Sequence, residues 1–331
     1  MKVISHRRYG PPDVLEYTSA ATPVARPGEV LVRVRAASVN ARDWHLLRGD
    51  PYLARLSVGV RSPRERVRGT DFAGVVEAVG PGVDDLRQGD EVFGEAPGAF
   101  AEHVVAARDV VAVKPSTLTF AEAAALPLAA NTALMGLREA AAVRPGQSVL
   151  INGASGGVGL FAVQLAVADG ADVTAVCSAR NADAVRALGA QTVVDYTKED
   201  VTRAGRRFDV VFDLVGNHSL RSLLRVTSPR GVLVLSGGGV SRGGSSAGGS
   251  VFGPVALIAR GKAAAGFVRP RVVVLTAEPS RARLATLREL AEAGTLRPII
   301  DRTFPLSAAA DAIRYLETDH ARAKVVLTVE G

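Results

Sequence analysis

The sequence predicts an α/β protein in two parts, a β-rich domain and a doubly wound parallel sheet. Three observations predict it. At about 150 residues per domain, 331 residues imply two cores. The texture changes near residue 120, from short valine-rich runs punctuated by glycine and proline to apolar strands alternating with helical stretches. Inside the second texture, "INGASGGVGLFAVQLAVADGADVTAVCSARN" (151–181) reads as strand, glycine turn, helix and strand.

The elements follow in order. "EVLVRVRAASVN" (29–40), "FAGVVEAVG" (72–80) and "AFAEHVVAA" (99–107) are β-like runs that suit a barrel or sandwich. An alanine-rich helical stretch, residues 119–141, is interrupted at Pro127. Apolar strands then fall at 148–152, 172–176, 192–194, 209–213, 231–235 and 271–275, as a doubly wound sheet requires. A helix is expected at 281–293, and the tail reads as strand, helix and strand, which lets the chain return to the first domain. We therefore expect one domain from 1–120 and 277–331, and a second from 121–276. "SGGGVSRGGSSAGGS" (236–250) follows the fifth strand, at the sheet end where ligands bind, and its composition predicts a mobile loop that orders on binding.

Composition narrows the function. Hydrophobic residues at 47% and charged residues at 22% exclude a disordered chain or a fibre. The first eight residues already carry Lys2, Arg7 and Arg8, and no apolar run of about 20 follows, so neither a signal peptide nor a membrane span is expected and a cytoplasmic location is. A single cysteine, Cys177, excludes an internal disulfide and a cysteine-rich zinc site, and reads as a small buried residue. A net charge of +7 invites nucleic acid, but the arginines are scattered and aromatics are only 5%, so an anionic small ligand fits better.

Two chemistries compete for the glycine turn. Gly153-Ala154-Ser155-Gly156-Gly157 matches the G-x-S-x-G of a nucleophilic serine, with Asp213 and His320 downstream in the right order but in no recognisable context. Ala154-x-Gly156-Gly157-Val158-Gly159 fits a variant of G-x-G-x-x-G, in which Gly156 lets backbone approach a pyrophosphate and Gly159 lets the helix pack on its strand. The alternation of strands and helices favours the dinucleotide. The acid that normally binds the adenosine ribose is missing: Ser178 stands in its place and Arg180 follows. A hydroxyl and a guanidinium bind a 2′-phosphate that a carboxylate would repel, so the cofactor expected is NADPH. Tyr196, ending the third strand, is placed to pack on the adenine or donate a hydroxyl.

The blocks "VLVRVRAASVNARDWHLLRGDPY" (30–52), "GTDFAGVVEAVGPGVDDLRQGDEVFG" (69–94), "GAFAEHVV" (98–105), "AAALPLAANTAL" (123–134), "VRPGQSVLINGASGGVG" (143–159), "FDVVFDLVG" (208–216) and "HARAKVVL" (320–327) run almost from end to end. In them the chain resembles the medium-chain dehydrogenase/reductases, in their zinc-independent quinone oxidoreductase-like branch. The resemblance implies a GroES-like domain formed by both chain ends, a Rossmann domain between them, and a homodimer through the Rossmann sheet edge. It also implies an oxidoreductase that passes hydride from NADPH to a quinone or an α,β-unsaturated carbonyl.

Where zinc-dependent relatives place Cys and His ligands, this chain has Asn40 and Thr70, so no metal is expected. Asn40 and Asp71 resemble the polar pair near the nicotinamide, and Tyr52 the pocket tyrosine that hydrogen-bonds a substrate oxygen. The cofactor set carried over is Thr132, Ala154, Ser155, Gly156, Gly157, Val158, Ser178, Arg180, Asn181, Tyr196, Val215, Gly216, Ser236 and Gly237. His45, after Trp44, either packs at a helix or relays protons. The connection 53–70 carries Arg55, Arg61, Arg64, Arg66 and Arg68 against one acid, Glu65; it is either a solvated face or a lure for an anionic substrate. Two other functions remain: an enoyl reductase with a larger substrate, which this long connection favours, and an NADPH-binding sensor or nucleic-acid-binding relative without turnover, which the presence of Tyr52 disfavours.

Overall fold

The computed structural model describes residues 1–50, 52, 55–236, 269–318 and 322–330. Gly237, the rest of the glycine-serine run and His320 lie outside the described residues. The chain divides into two compact units, Met1–Asn131 with Glu278–Gly331, and Thr132–Ala277. The first junction thus falls inside the helical stretch 119–141.

In chain order the first unit contributes β1 (Lys2–Ser5), β2 (Glu16–Ser19), β3 (Glu29–Val39), β4 (Asp71–Val79), β5 (Glu91–Glu95), β6 (His103–Ala107) and β7 (Val111–Val113). Its early helices are α1 (Ala41–Arg48), α2 (Arg55–Val58) and α3 (Phe120–Ala124), and α4 (Pro127–Leu134) begins in it. The second unit holds β8 (Ser148–Asn152), α5 (Gly157–Ala168), β9 (Asp172–Cys177), α6 (Ala182–Ala187), β10 (Thr192–Asp195), β11 (Phe208–Asp213), α7 (Leu220–Val226), β12 (Thr227–Leu235) and β13 (Arg271–Val274). The first unit is completed by α8 (Arg281–Glu292), β14 (Ile300–Pro305), α9 (Ala309–Thr318) and β15 (Lys324–Thr328).

The second unit is a parallel sheet in the order β10-β9-β8-β11-β12-β13. Each apolar run predicted from the sequence is one of its strands. The strands read as near-continuous apolar runs because both faces are covered, and Leu150, Val176, Phe208, Val211, Leu223 and Leu233 share one core cluster. The order reverses between β8 and β11, where Asn152 and Asp213 stand opposite each other at the carboxyl ends. That is where such sheets open a ligand crevice.

The first unit's main sheet runs β14-β15-β3-β4-β5-β7, with β6 also paired to β3. The long β3 buries Val30, Leu31 and Val32 and alternates only over Val32–Arg33–Val34–Arg35, and Phe72, Phe100, Val325 and Leu327 are buried with its valines in a common core. The chain does return: β15 pairs with β3 from Val325↔Val39 to Thr328↔Ala36. In the alanine-rich stretch, Thr119 and Glu122 cap α3 reciprocally, and Pro127 opens α4 rather than breaking a helix. A π-helical turn, Met135–Ala140, follows; at Gly136 a Cβ would meet the Phe212 ring at 2.4 Å.

Candidate functional site

In the second unit the glycine turn leaves β8 through Gly153, at φ +91°, a conformation that favours glycine. The N–H groups of Gly153 and Ala154 both donate to the Val176 carbonyl, which ties the turn to β9. Gly156 caps α5 with extended backbone and no side-chain hydrogen bond, so the N–H groups of Gly157 and Val158 open the helix without intrahelical acceptors. A Cβ on Gly156 would meet nothing nearer than 3.4 Å, so this face is open. On Gly159 a Cβ would lie 2.1 Å from the Gly153 carbonyl oxygen and 2.7 Å from Ala154. One glycine therefore clears space for a ligand and the other for the helix itself, and the cradle fits a dinucleotide pyrophosphate.

The amide of the buried Asn181 donates to Ser155 Oγ at 3.0 Å and to Ser178 Oγ at 3.4 Å, joining the glycine turn to the exit of β9. Arg180 is exposed in the short 3-10 turn between Ser178 and Asn181. Tyr196 is half exposed just past β10, and its N–H donates to the Cys177 carbonyl. Burial pushes the Cys177 thiol up, consistent with a packing role. A pocket of about 260 Å³ lies here, lined by Ser178, Arg186 and Lys198 together with Asp183 and Asp195. Lys198 was not singled out in the sequence; its spacing of two beyond Tyr196 was the available signal.

Asp213 is fully buried, and its Oδ1 accepts from Asn152 Nδ2 at 2.8 Å and from the N–H groups of Val215 and Gly216 at 3.2 and 3.1 Å. Asn152 also donates to Asn217 Oδ1 at 2.8 Å. Asp213 thus shapes the turn that carries Val215 and Gly216, while its carbonyl accepts from the Ser236 N–H. The hydrolase alternative fails on this geometry: the acid holds backbone, and Ser155 Oγ is bonded to an amide. Thr132 is buried at the start of this unit.

In the first unit Asn40 follows β3 and caps α1, its N–H bound by Asp43 Oδ2 at 2.8 Å. Its amide Nδ2 donates to the Ser38 carbonyl at 3.2 Å and to Asp71 Oδ2 at 3.0 Å, and its Oδ1 accepts from Lys324 Nζ at 2.5 Å. Both amide hydrogens are therefore committed, and Asn40 is a rigid spacer between an ammonium and a carboxyl. Asp71 also accepts from the Leu128 N–H at 3.3 Å, and Lys324 Nζ lies 3.9 Å from it. Burial raises the Asp71 carboxyl to about 8 against the pull of the Lys324 ammonium, and burial lowers Lys324. The sequence reading missed Lys324, which opens the apolar strand "KVVLT" and is 3% exposed.

This donor set does not fit zinc, which takes thiolate, imidazole or carboxylate. Asn40 presents an amide oxygen already taken by Lys324, Thr70 a hydroxyl, and Asp71 a carboxyl bonded on both sides. Among the described residues no group of three or more His, Cys, Asp or Glu could hold a metal.

The remaining predicted residues sit apart from this cluster. His45 stacks on Trp44 with ring centroids 3.8 Å apart, its Nδ1 is 3.1 Å from the Asp50 carbonyl, and burial lowers its pKa. Tyr52 is 43% exposed, with the Arg55 guanidinium 4.5 Å above its ring. The first unit also encloses a cavity of about 430 Å³, lined among others by Tyr9, Arg42, Arg64, Arg68, Thr70 and Glu95; Tyr52 is not in its wall.

Comparison with known proteins agrees with this architecture. Residues 26–116 match the family described as "Alcohol dehydrogenase GroES-like domain", and residues 188–327 the family described as "Zinc-binding dehydrogenase". A 2-methylene-furan-3-one reductase of Solanum lycopersicum is 35% identical, over 99% of this chain and 79% of the relative. An NADPH-dependent alkenal/one oxidoreductase of Arabidopsis thaliana, a chloroplast protein, is 34% identical over the same shares. The solved structure of a quinone oxidoreductase from Coxiella burnetii superposes with a TM-score of 0.83 at 33% identity, covering 100% of this chain and 99% of its own. With both units, the glycine cradle and near end-to-end similarity in agreement, the chain belongs to the medium-chain dehydrogenase/reductase superfamily, in its quinone oxidoreductase-like branch.

Proposed function

We propose that this protein is an NADPH-dependent reductase of quinones or α,β-unsaturated carbonyls that works without zinc. The observation that carries the reading is the Asn40–Asp71–Lys324 chain, a set of groups without the thiolate and imidazole donors of a zinc site, in a protein whose other unit bears a dinucleotide cradle. The names of the tomato and Arabidopsis relatives support it. Bound NADPH supplies hydride, and a conjugated acceptor spreads the negative charge that follows, so one hydrogen-bond donor suffices where an isolated ketone needs a Lewis acid. The α5 N-terminus and the Gly156 face hold the pyrophosphate, Ser178, Arg180 and Asn181 hold the 2′-phosphate end, and the turn set by Asp213 presents Val215 and Gly216. Thr132, Ser236 and Gly237 complete the cofactor set. Tyr52 is the proposed donor to the substrate oxygen.

The test is NADPH consumption against quinones, enones, enoyl thioesters and matched saturated ketones. Quinones or enones should be turned over at least 100-fold faster than saturated ketones, and Tyr52→Phe should raise the enone barrier by about 2–3 kcal/mol without weakening NADPH binding. Faster reduction of saturated ketones would overturn the reading; a silent Tyr52→Phe would remove Tyr52 alone.

Cofactor choice is testable separately. Charge-assisted contacts contribute roughly 1.5–3 kcal/mol, so Arg180→Ala should weaken NADPH about tenfold or more and leave NADH nearly unchanged, by fluorescence titration. Equal losses for the two would show that Arg180 does not read the phosphate. Elemental analysis should find substoichiometric zinc, with no loss of turnover in chelator.

The same reading includes a homodimer through the edge of the parallel sheet and a cytoplasmic location. β13 is an edge strand among the described residues, and no described helix is long and apolar enough to cross a membrane.

A further inference from the structure

The five arginines between residues 53 and 70 have different fates. Arg55 is consumed locally: Nε donates to the Gly49 carbonyl at 2.9 Å, Nη2 to the Arg48 carbonyl at 3.1 Å, and the guanidinium lies over the rings of Tyr9 and Tyr52. Arg61 and Arg66 are exposed and stand outside the cavity wall. Arg64 and Arg68 line the 430 Å³ cavity, and Arg42 joins them from α1.

Arg68 is the unusual one. It is 4% exposed, and among the described residues its side chain makes one hydrogen bond, Nη1 to His6 Nε2 at 3.3 Å, while Nε has no partner. No carboxylate lies within ion-pair distance of it among the described residues. His6 holds the guanidinium without neutralising it. Burial and the neighbouring Arg68 lower His6 to about 4, so the ring is neutral at pH 7. Its Nδ1–H then donates to the Arg8 carbonyl at 3.2 Å, and Nε2 offers Arg68 a lone pair. A guanidinium fixed and buried in a cavity wall, attracted by Asp43 and Glu65 only from beyond ion-pair distance, is costly unless a ligand supplies a closer partner.

The other charges do not cancel it. Glu65, in the same wall, is exposed, and burial pushes both the Asp43 carboxyl and the Glu95 carboxyl up towards their neutral forms, Glu95 against the pull of Arg42. Thr70 and Glu95 bring the cavity up to the polar cluster, since Glu95 stands opposite Asp71 in the β4–β5 register.

We propose that this cavity receives a carboxylate of the substrate, held by Arg68 with Arg42 and Arg64, so that the compound reduced is a conjugated carbonyl bearing a carboxylate. The proposal rests on the reductase reading and refines its substrate class. Two glutamates in the wall favour a singly charged carboxylate over a phosphate, and the volume suits a small molecule.

The experiment compares a 4-oxo-2-enoic acid with its methyl ester under saturating NADPH. Wild type should prefer the acid at least tenfold in kcat/KM, and the KM of the acid alone should rise between 50 and 500 mM salt. Arg68→Gln and, independently, the exposed Arg64→Gln should each reduce the acid-to-ester ratio at least threefold; the second variant and the salt series serve if Arg68→Gln fails to fold. Arg87→Gln, at an exposed arginine outside the cavity wall, should leave the ratio unchanged. Equal or better turnover of the ester by wild type overturns the proposal, as does an equal fall in Arg87→Gln, which would reduce the effect to net charge. Turnover of neither compound, nor of any quinone or enone, would instead refute the reductase reading itself.

Discussion

Gly159→Val is expected to abolish measurable NADPH binding, weakening it more than 100-fold, and to destabilise the fold by roughly 3 kcal/mol or more. The added Cβ would sit 2.1 Å from the Gly153 carbonyl oxygen, against backbone that cannot yield without moving α5 off β8. Gly156→Ala is the informative contrast. Its Cβ would meet only the Gly153 carbonyl oxygen, at an ordinary contact distance of 3.4 Å, and its φ of −78° suits alanine, so stability should change by less than about 1 kcal/mol. NADPH should nevertheless bind about tenfold more weakly, because the methyl occupies the face left open for the pyrophosphate. Thermal unfolding and cofactor titration on both variants separate the two roles. Equal stability losses would show that the open face is structural, and undiminished NADPH binding by Gly156→Ala would show that no ligand uses it.

Lys324→Met should give the second large effect, with a dependence on pH. At neutral pH the Asn40 Oδ1 loses its donor in a buried place, at a cost of about 1–3 kcal/mol. Asp71 ionises in the fold only near pH 8, because burial raises it while the Lys324 ammonium pulls it down. In the variant that pull is gone and the carboxyl keeps its proton to still higher pH. The stability gap between wild type and variant should therefore widen as pH rises through about 8, approaching the ~3–5 kcal/mol typical of a buried pair with one partner removed. Denaturant unfolding at pH 6 and pH 9 checks this, and adding Asp71→Asn should remove the widening. A gap that is constant with pH, or a stabilised variant, would show that the ammonium does not support Asp71.

The parts legible in the sequence were those whose cause is local. The strands of the parallel sheet were readable because a strand covered on both faces must be apolar along its length, and the glycine turn because its spacing is itself the structure. The domain junction was less so. The alanine-rich α3 is apolar on most sides, and nothing within it says that it packs against β3 and β4 of the first unit. Lys324 was hidden for a related reason: a lysine opening an apolar strand looks like an exposed strand end, and its partner Asn40 lies 284 residues away. Asp213 drew notice for the wrong chemistry, since its role depends on register with Asn152 across two strands. Among five arginines in one connection, only the burial of Arg68 against His6 distinguishes it, and that contact spans 62 residues.

The place of β15 has a consequence for biosynthesis. This strand lies between β3 and β14, so the sheet that starts with β3 cannot close until residues 324–328 are made. The parallel unit, a continuous stretch from Thr132 to Ala277, needs no such wait. On a ribosome the order of completion should therefore run against the order of synthesis, with the later-made unit completed first and the earlier-made segment held with the other edge of β3 lacking its β15 partner. Lys324, the first residue of that closing strand, delivers its charge to Asn40 and Asp71 at the same step, so the polar cluster and the sheet that carries it come into being together.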